Sequence, residues 1–253
     1  MNSLTSTLVE ICSAGAGRVW IEQCLALPQW AQVAQYRTRF AALQSTLGEV
    51  DRRLLEAQDC HLCILTPDAI GSLQSRWPER IEQLGSLGLA ETGWVSLAGD
   101  QNNYPVQTVQ ALRQTLMSLD VLLVPDLQQS SGGRHLQRVL TQLDIPALEM
   151  PLMQSFAGGA QAVAALPEYV GQRVMACAQS TEVQASLHAH YLGSFPAPHS
   201  LATEYAVAAV RPHPDNHDRE AQTAWSVACD LGRYLCSPNQ QALRTALGFA
   251  NLP

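Results

Sequence analysis

The sequence predicts an α/β fold, Rossmann-like and doubly wound, with a mostly parallel sheet and helices on both faces. Short apolar runs at 60–65, 93–98, 121–124 and 147–150 alternate with longer stretches of helical periodicity, and parallel strands need crossover connections of that length. The runs are too uniformly apolar to be half exposed, which asks for cover on both sides of the sheet. With 253 residues, 47% of them apolar and 15% charged, the chain is long enough to bury such a core.

Residues 2–12 read as an amphipathic helix with Leu4, Leu8 and Ile11 on one face, and Ser13-Ala14-Gly15-Ala16-Gly17 as a small-residue linker. After an apolar run at 19–27, Pro28 opens a helical stretch to about residue 58. There Trp30, Val33, Phe40, Leu43, Leu47, Val50 and Leu54 recur near 3.6-residue spacing, with Gly48 as the break between two helices. Then follow a buried strand at 60–65, a helix at 67–87 ending near Gly88, a strand at 93–98 and a helix at 106–119. A strand at 121–124, a helix at 136–143 and a strand at 147–150 complete the alternation. Beyond Pro151 come a Gly158-Gly159 turn, an alternating stretch at 170–178, a strand at 205–210, a polar loop at 211–218 and a final helix at 220–235. The organisation expected is an N-terminal helix and linker at 1–17, an α/β core at 18–150, and a C-terminal part at 151–253 that extends the sheet or forms a small second lobe.

Composition narrows the chemistry. All 15 basic residues are arginine and there is no lysine, which excludes the P-loop lysine, the kinase strand lysine and every Schiff-base amine. The net charge of −7 and the dispersed arginines argue against a nucleic-acid partner. No apolar run approaches a bilayer span, and residues 1–9 lack the basic and apolar regions of a signal peptide, so a cytoplasmic location is expected. Seven scattered cysteines read as reduced, buried thiols. No GxSxG, HExxH or catalytic cysteine signature is present, so no catalytic residue is assigned.

Ligands of open α/β sheets bind beyond the carboxyl ends of strands, where helix N-termini present free N–H groups. Three loops qualify, and they contribute Thr66, Asp100 and the run Ser130, Ser131, Gly132, Gly133 and Arg134. The last is the richest: hydroxyls, backbone free to approach closely and an arginine fork together suit a phosphate-bearing small molecule. The same residues also suit a plain turn ending in a helix cap. The CxxC at Cys60–Cys63 suits a zinc half-site or redox pair, but without a second such pair it reads as buried structural cysteines. His188 and His190, with the loop holding His213, Asp215, His217 and Asp218, form a conceivable divalent-metal set. The plainer reading is a solvated loop capping the last helix, and no metal site is assigned.

The strand Asp120-Val121-Leu122-Leu123-Val124-Pro125 followed by a Ser-rich loop and a helix resembles the FMN-binding flavoprotein family, with Gln129 to Arg134 at the family's loop. Some members are associated with bacterial microcompartments, whose cargo carries a short N-terminal amphipathic helix, and residues 2–12 are similar. The resemblance implies a homo-oligomeric flavoprotein holding FMN, a redox accessory of a larger bacterial assembly. Residues 54–77 more faintly resemble a Toll/interleukin-receptor signalling domain. The alternative is a non-catalytic interaction or assembly protein with a degenerate α/β core.

Overall fold

A computed structural model describes residues 7–128, 130–184, 186–214, 216 and 218–252, and within them the chain forms ten strands and ten α-helices. The chain divides into two compact units: the described residues of Met1–Leu89, Glu204–Ala246 and Ala250–Pro253 make unit one, and Ala90–Thr203 with Leu247–Phe249 make unit two. Among the described residues no helix is long and apolar enough to cross a membrane.

Unit one opens on a strand. β1 (Leu8–Ala14) stands where the sequence predicts the amphipathic helix at 2–12, of which residues 2–6 lie outside the described residues. Val9, Ile11 and Cys12 are all buried, so both faces of the segment are covered and the apparent helical stripe is half of a fully buried strand. A 3-10 turn at Gly15–Gly17 leads into α1 (Arg18–Leu25), followed by α2 (Pro28–Ala31), β2 (Gln35–Ala41) and α3 (Leu43–Leu55). The long helix expected at 28–58 therefore contains a strand. Gln35, Arg37 and Arg39 alternate with Tyr36, Thr38 and Phe40, a period of two that the surrounding helical spacing masks. Gly48 lies inside α3 and does not break it.

β3 (Leu62–Leu65), α4 (Pro67–Arg76) and β4 (Ile81–Leu97) follow. β4 replaces the second half of the helix expected at 67–87 and runs on from unit one into unit two. Its Gly88 takes φ +113°, and a Cβ on Gly85 would come within 2.8 Å of the Cys236 Cβ. Unit two continues with α5 (Val109–Met117), β5 (Val121–Pro125), α6 (Ser131–Gln142), β6 (Leu152–Phe156), α7 (Gly159–Ala165), β7 (Val174–Gln179), α8 (Ser180–Val183) and β8 (Ala189–Ser194). The strand expected at 147–150 is a 3-10 turn, and β6 begins at Leu152 instead. β9 (Ala202–Val210), α9 (Arg219–Cys236) and α10 (Gln241–Ala246) return the chain to unit one, and the two-residue β10 (Phe249–Ala250) lies near the end of the chain.

The sheets are mixed, which corrects the expected mostly parallel, Rossmann-like arrangement. In unit one the order is β2-β1-β3-β9-β4; β1 is parallel to β2 and β3, and β9 is antiparallel to β3. In unit two β5 is parallel to β6 and β7, whereas β4 is antiparallel to both β7 and β8. The reversals arise because β4 and β9 carry the chain out of unit one and back. The expectation of covered faces holds in unit two. Trp94, Leu122, Val124, Met175 and Cys177 pack with α5 and α6 on one side of the sheet, and Val95, Leu123, Ala176 and Ala178 pack with α7 on the other.

Candidate functional site

In unit two the strand registers define one edge. Thr92 lies opposite Gln179 and Val95 opposite Ala176, while Val121 pairs with Val174. Thr92 therefore sits at the carboxyl end of β7, level with the ends of β5 and β6, and α6, α7 and α8 follow the ends of β5, β6 and β7 in turn. This is the edge at which a parallel sheet exposes helix N-termini.

Three helices start here, and the protein itself occupies two of the starts. Glu182 accepts from the Gln179 N–H at 3.0 Å and from the Ala160 N–H in the first turn of α7. Burial pushes its carboxyl above the ordinary value, against the lowering effect of those two N–H groups. A Cβ on Gly159 would collide with this carboxylate. Gln179 and Glu182 together form a capping box on α8.

The start of α6 is different. Ser130 caps it: the Ser130 hydroxyl accepts from the Gly133 N–H at 3.3 Å, and its carbonyl accepts from the Arg134 N–H at 3.0 Å. The N–H groups of Ser131 and Gly132, at the first two helical positions, have no partner within the helix. The helix is seated tightly, since a Cβ on Gly133 would collide with the Asp126 carbonyl. At Gly132 there is space, the nearest atoms to a Cβ at that position being the Ser130 hydroxyl oxygen at 3.8 Å and the Thr92 methyl at 3.9 Å.

Thr92 is the residue that sequence reasoning missed. It is 1% exposed, its N–H donates to the Leu201 carbonyl and its carbonyl accepts from the Phe195 N–H, yet its hydroxyl has no hydrogen-bond partner. A buried hydroxyl without a partner costs free energy on the order of 1–3 kcal/mol. Thr181, 2% exposed on α8 at the same edge, also carries an unpartnered hydroxyl. Neither belongs to a motif; only the placement of α6 and α8 over the strand ends identifies them.

The other predicted residues divide. Arg134 is exposed, and its guanidinium donates to the Gln128 carbonyl at 3.1 Å. Thr66 belongs to unit one, where its hydroxyl caps α4 by accepting from the Ala69 N–H at 3.4 Å. Asp100 lies at the opposite end of unit two's sheet from Ser130. It accepts from the Asn102 backbone and side chain and from the Tyr104 hydroxyl at 2.8–2.9 Å, while Asn102 contacts Arg173, just ahead of β7. Asp100 therefore does not join the α6 residues; it lines a separate cavity of about 380 Å³ with Ser96, Tyr104 and His190.

Cys60 and Cys63 are buried in unit one, and every cysteine is a free thiol. His188 and His190 are exposed, and Asp215 and His217 lie outside the described residues. Among the described residues no group of three or more His, Cys, Asp and Glu side chains is placed to hold a metal ion. Asp218 caps α9, accepting from the Glu220 N–H at 3.2 Å.

No family model matches the chain, and no curated protein matches its sequence. Solved structures share its fold. A substrate binding domain assigned to a molybdenum ABC transporter of Clostridium difficile superposes with a TM-score of 0.64 at 10% identity, over 97% of this chain and 99% of that one. The periplasmic molybdate-binding protein of Azotobacter vinelandii gives 0.63 at 12% identity, over 97% and 99%. The sulfate-binding protein SubI of Mycobacterium tuberculosis H37Rv gives 0.61 at 14%, over 97% and 87%. These likenesses overturn the resemblance to FMN-binding flavoproteins and the FMN it implies, because the whole chain follows the mixed-sheet fold of substrate-binding proteins. What resembles a flavoprotein loop locally is a strand, a short turn and a capped helix, a combination that many α/β folds share.

Proposed function

We propose that the chain is a binding protein for a small oxyanion, held in unit two at the N-terminus of α6 by Ser130, Ser131, Gly132 and Gly133 together with Thr92. One observation carries the reading: buried Thr92, whose hydroxyl has no partner, brings its methyl within 3.9 Å of a Cβ position on Gly132, at a helix start whose first two N–H groups have no partner within the helix. An anion placed there would accept from the Thr92 hydroxyl and from the Ser131 and Gly132 N–H groups, and the helix dipole favours its charge. Support comes from the shared fold with proteins named for molybdate and sulfate. A phosphate-bearing small molecule fits the same donors, so phosphate belongs among the probes.

Calorimetric titration of the purified chain with molybdate, sulfate and phosphate at constant ionic strength tests this. At least one anion is expected to bind, and Thr92→Val is expected to weaken it by about 1.5–3 kcal/mol, roughly tenfold to a hundredfold, as for one charge-assisted hydrogen bond. Arg134→Ala should cost under ~1 kcal/mol, since the exposed guanidinium acts only through solvent-screened charge. Equal affinity of the wild type and Thr92→Val would sink the assignment.

A further inference from the structure

We propose that unit one carries a ligand site of its own, for a small apolar monocarboxylate, in the cavity bordered by His61, Arg80 and Arg211. It does not depend on the anion proposed at α6. The three residues come from neighbouring strands: His61 stands at the entry to β3, Arg80 at the entry to β4 and Arg211 just past the end of β9. Backbone bonds stitch them together, the Val210 N–H donating to the His61 carbonyl at 3.0 Å and the Arg211 N–H to the Arg80 carbonyl at 2.7 Å. The amino ends of β3 and β4 thus meet the carboxyl end of β9, at the opposite end of β3 from the Thr66 cap.

The cavity holds about 430 Å³, within the range of roughly 300–1,000 Å³ usual for small-molecule sites. Two of its polar groups lack partners. Arg80 is half-buried; its Nε donates to the Arg211 carbonyl, while burial lowers its pKa and no acid among the described residues offsets that effect. A half-buried cation without a counter-ion is costly, and a bound anion relieves it. Arg211, by contrast, is held by Glu82 at 3.6 Å and lies over the Trp225 ring, 5.0 Å from its centroid. His61 is 5% exposed. Its Nδ1 accepts from the Glu10 N–H at 3.0 Å, so the neutral ring carries its proton on Nε2, and that N–H has no partner among the described residues.

The rest of the lining selects the class of acid. Cys60 and Val210 are buried, and with Pro212 and Ala221 they form an apolar wall. Asp59, exposed, is the one acid among the described lining residues, and it repels a dianion such as sulfate more than a monoanion. A monocarboxylate meets each condition: its oxygens accept from the Arg80 guanidinium and the His61 Nε2–H, and its hydrocarbon covers the wall. An inorganic oxyanion leaves that wall unfilled.

Calorimetric titration of the full chain with phenylacetate at constant ionic strength tests this. One equivalent is expected to bind, weakened roughly tenfold to a hundredfold in Arg80→Gln, as for one charge-assisted hydrogen bond. Phenethyl alcohol, of similar shape without the charge, should bind more weakly by a similar factor. Equal affinity of the wild type and Arg80→Gln would overturn the proposal, as would the absence of binding at millimolar phenylacetate or its displacement by molybdate or sulfate. Where Arg80→Gln fails to fold, the wild type decides: phenylacetate should protect Arg80 from phenylglyoxal, read by peptide mass, while exposed Arg134 still reacts. An Arg80 modified equally with and without phenylacetate would overturn the site.

Discussion

Thr92 shows how one side chain acquires meaning from its surroundings. Threonine is common in strands and its hydroxyl ordinarily finds a carbonyl; here register and the seat of α6 leave it buried and unpartnered. Gly133 illustrates the complementary case of a side chain that must be absent. Gly133→Ala would drive a methyl into the Asp126 carbonyl, and a loss of about 1–3 kcal/mol is expected in denaturant unfolding; an unchanged midpoint would show that α6 can lift from the strand end. His61 adds a pH dependence. Burial lowers its pKa below the ordinary 6.5, and its Nδ1 accepts from the Glu10 N–H at 3.0 Å, so the folded form holds the neutral ring. With the folded pKa depressed, the stabilisation is present above about 6.5 and is lost as pH falls below it. Unfolding midpoints at pH 8 and pH 5.5 should differ more in the wild type than in His61→Gln; parallel shifts would remove His61 from the account.

At the scale of elements, helices are seated by close approach and by buried caps. α9 presents Ala224, Ala228 and Gly232 to unit one's sheet, and a Cβ on Gly232 would meet Leu84 and Leu62 side chains. Its carboxyl end is closed by Arg244, 3% exposed, which donates to the Leu235 and Ser237 carbonyls at 2.8 and 2.9 Å and to the Leu87 carbonyl at 3.0 Å. Arg244→Ala strips three carbonyls of a charged donor, and a destabilisation of ~3 kcal/mol or more is expected from chemical denaturation. A loss below ~1 kcal/mol would mean that water replaces the guanidinium. Elsewhere in unit one, Glu10 on β1, 4% exposed, is paired with Arg37 and Arg39 of β2. These pairs cross the two strands whose polar alternation the helical spacing conceals.

Across the whole molecule, β4 and β9 serve both as sheet members and as the connections between the units, which is why a chain of alternating strands and helices does not close into one parallel sheet. Each unit has its own strand-end edge: unit one places Ser13–Gly17 and the Thr66 cap at its edge, and unit two places the α6 start there. An anion bound at the α6 start would stabilise the folded state by mass action, by about 2.7 kcal/mol at a hundredfold excess over Kd. Thermal unfolding with and without molybdate or sulfate should show this, and the rise should be smaller in Thr92→Val. A rise that is the same for every salt at equal ionic strength would instead report general screening.

The α/β class, the buried strands at β3 and β5, the helix α9 and a helix capped after the Ser-rich loop are legible in the sequence, because each rests on local pattern: uniform apolar runs, helical spacing, a serine cap; the helix itself starts at Ser131, earlier than the expected 136. The lack of lysine likewise excludes its chemistries from composition alone. Strand direction, the two units, the correction from helix to strand at β1, β2 and the first half of β4, and the separation of Asp100 from the α6 residues come only from tertiary structure. Apolar spacing records that a residue is buried, not against which neighbour; register and chain reversal decide that, and with it whether a threonine hydroxyl finds a carbonyl or is left without a partner.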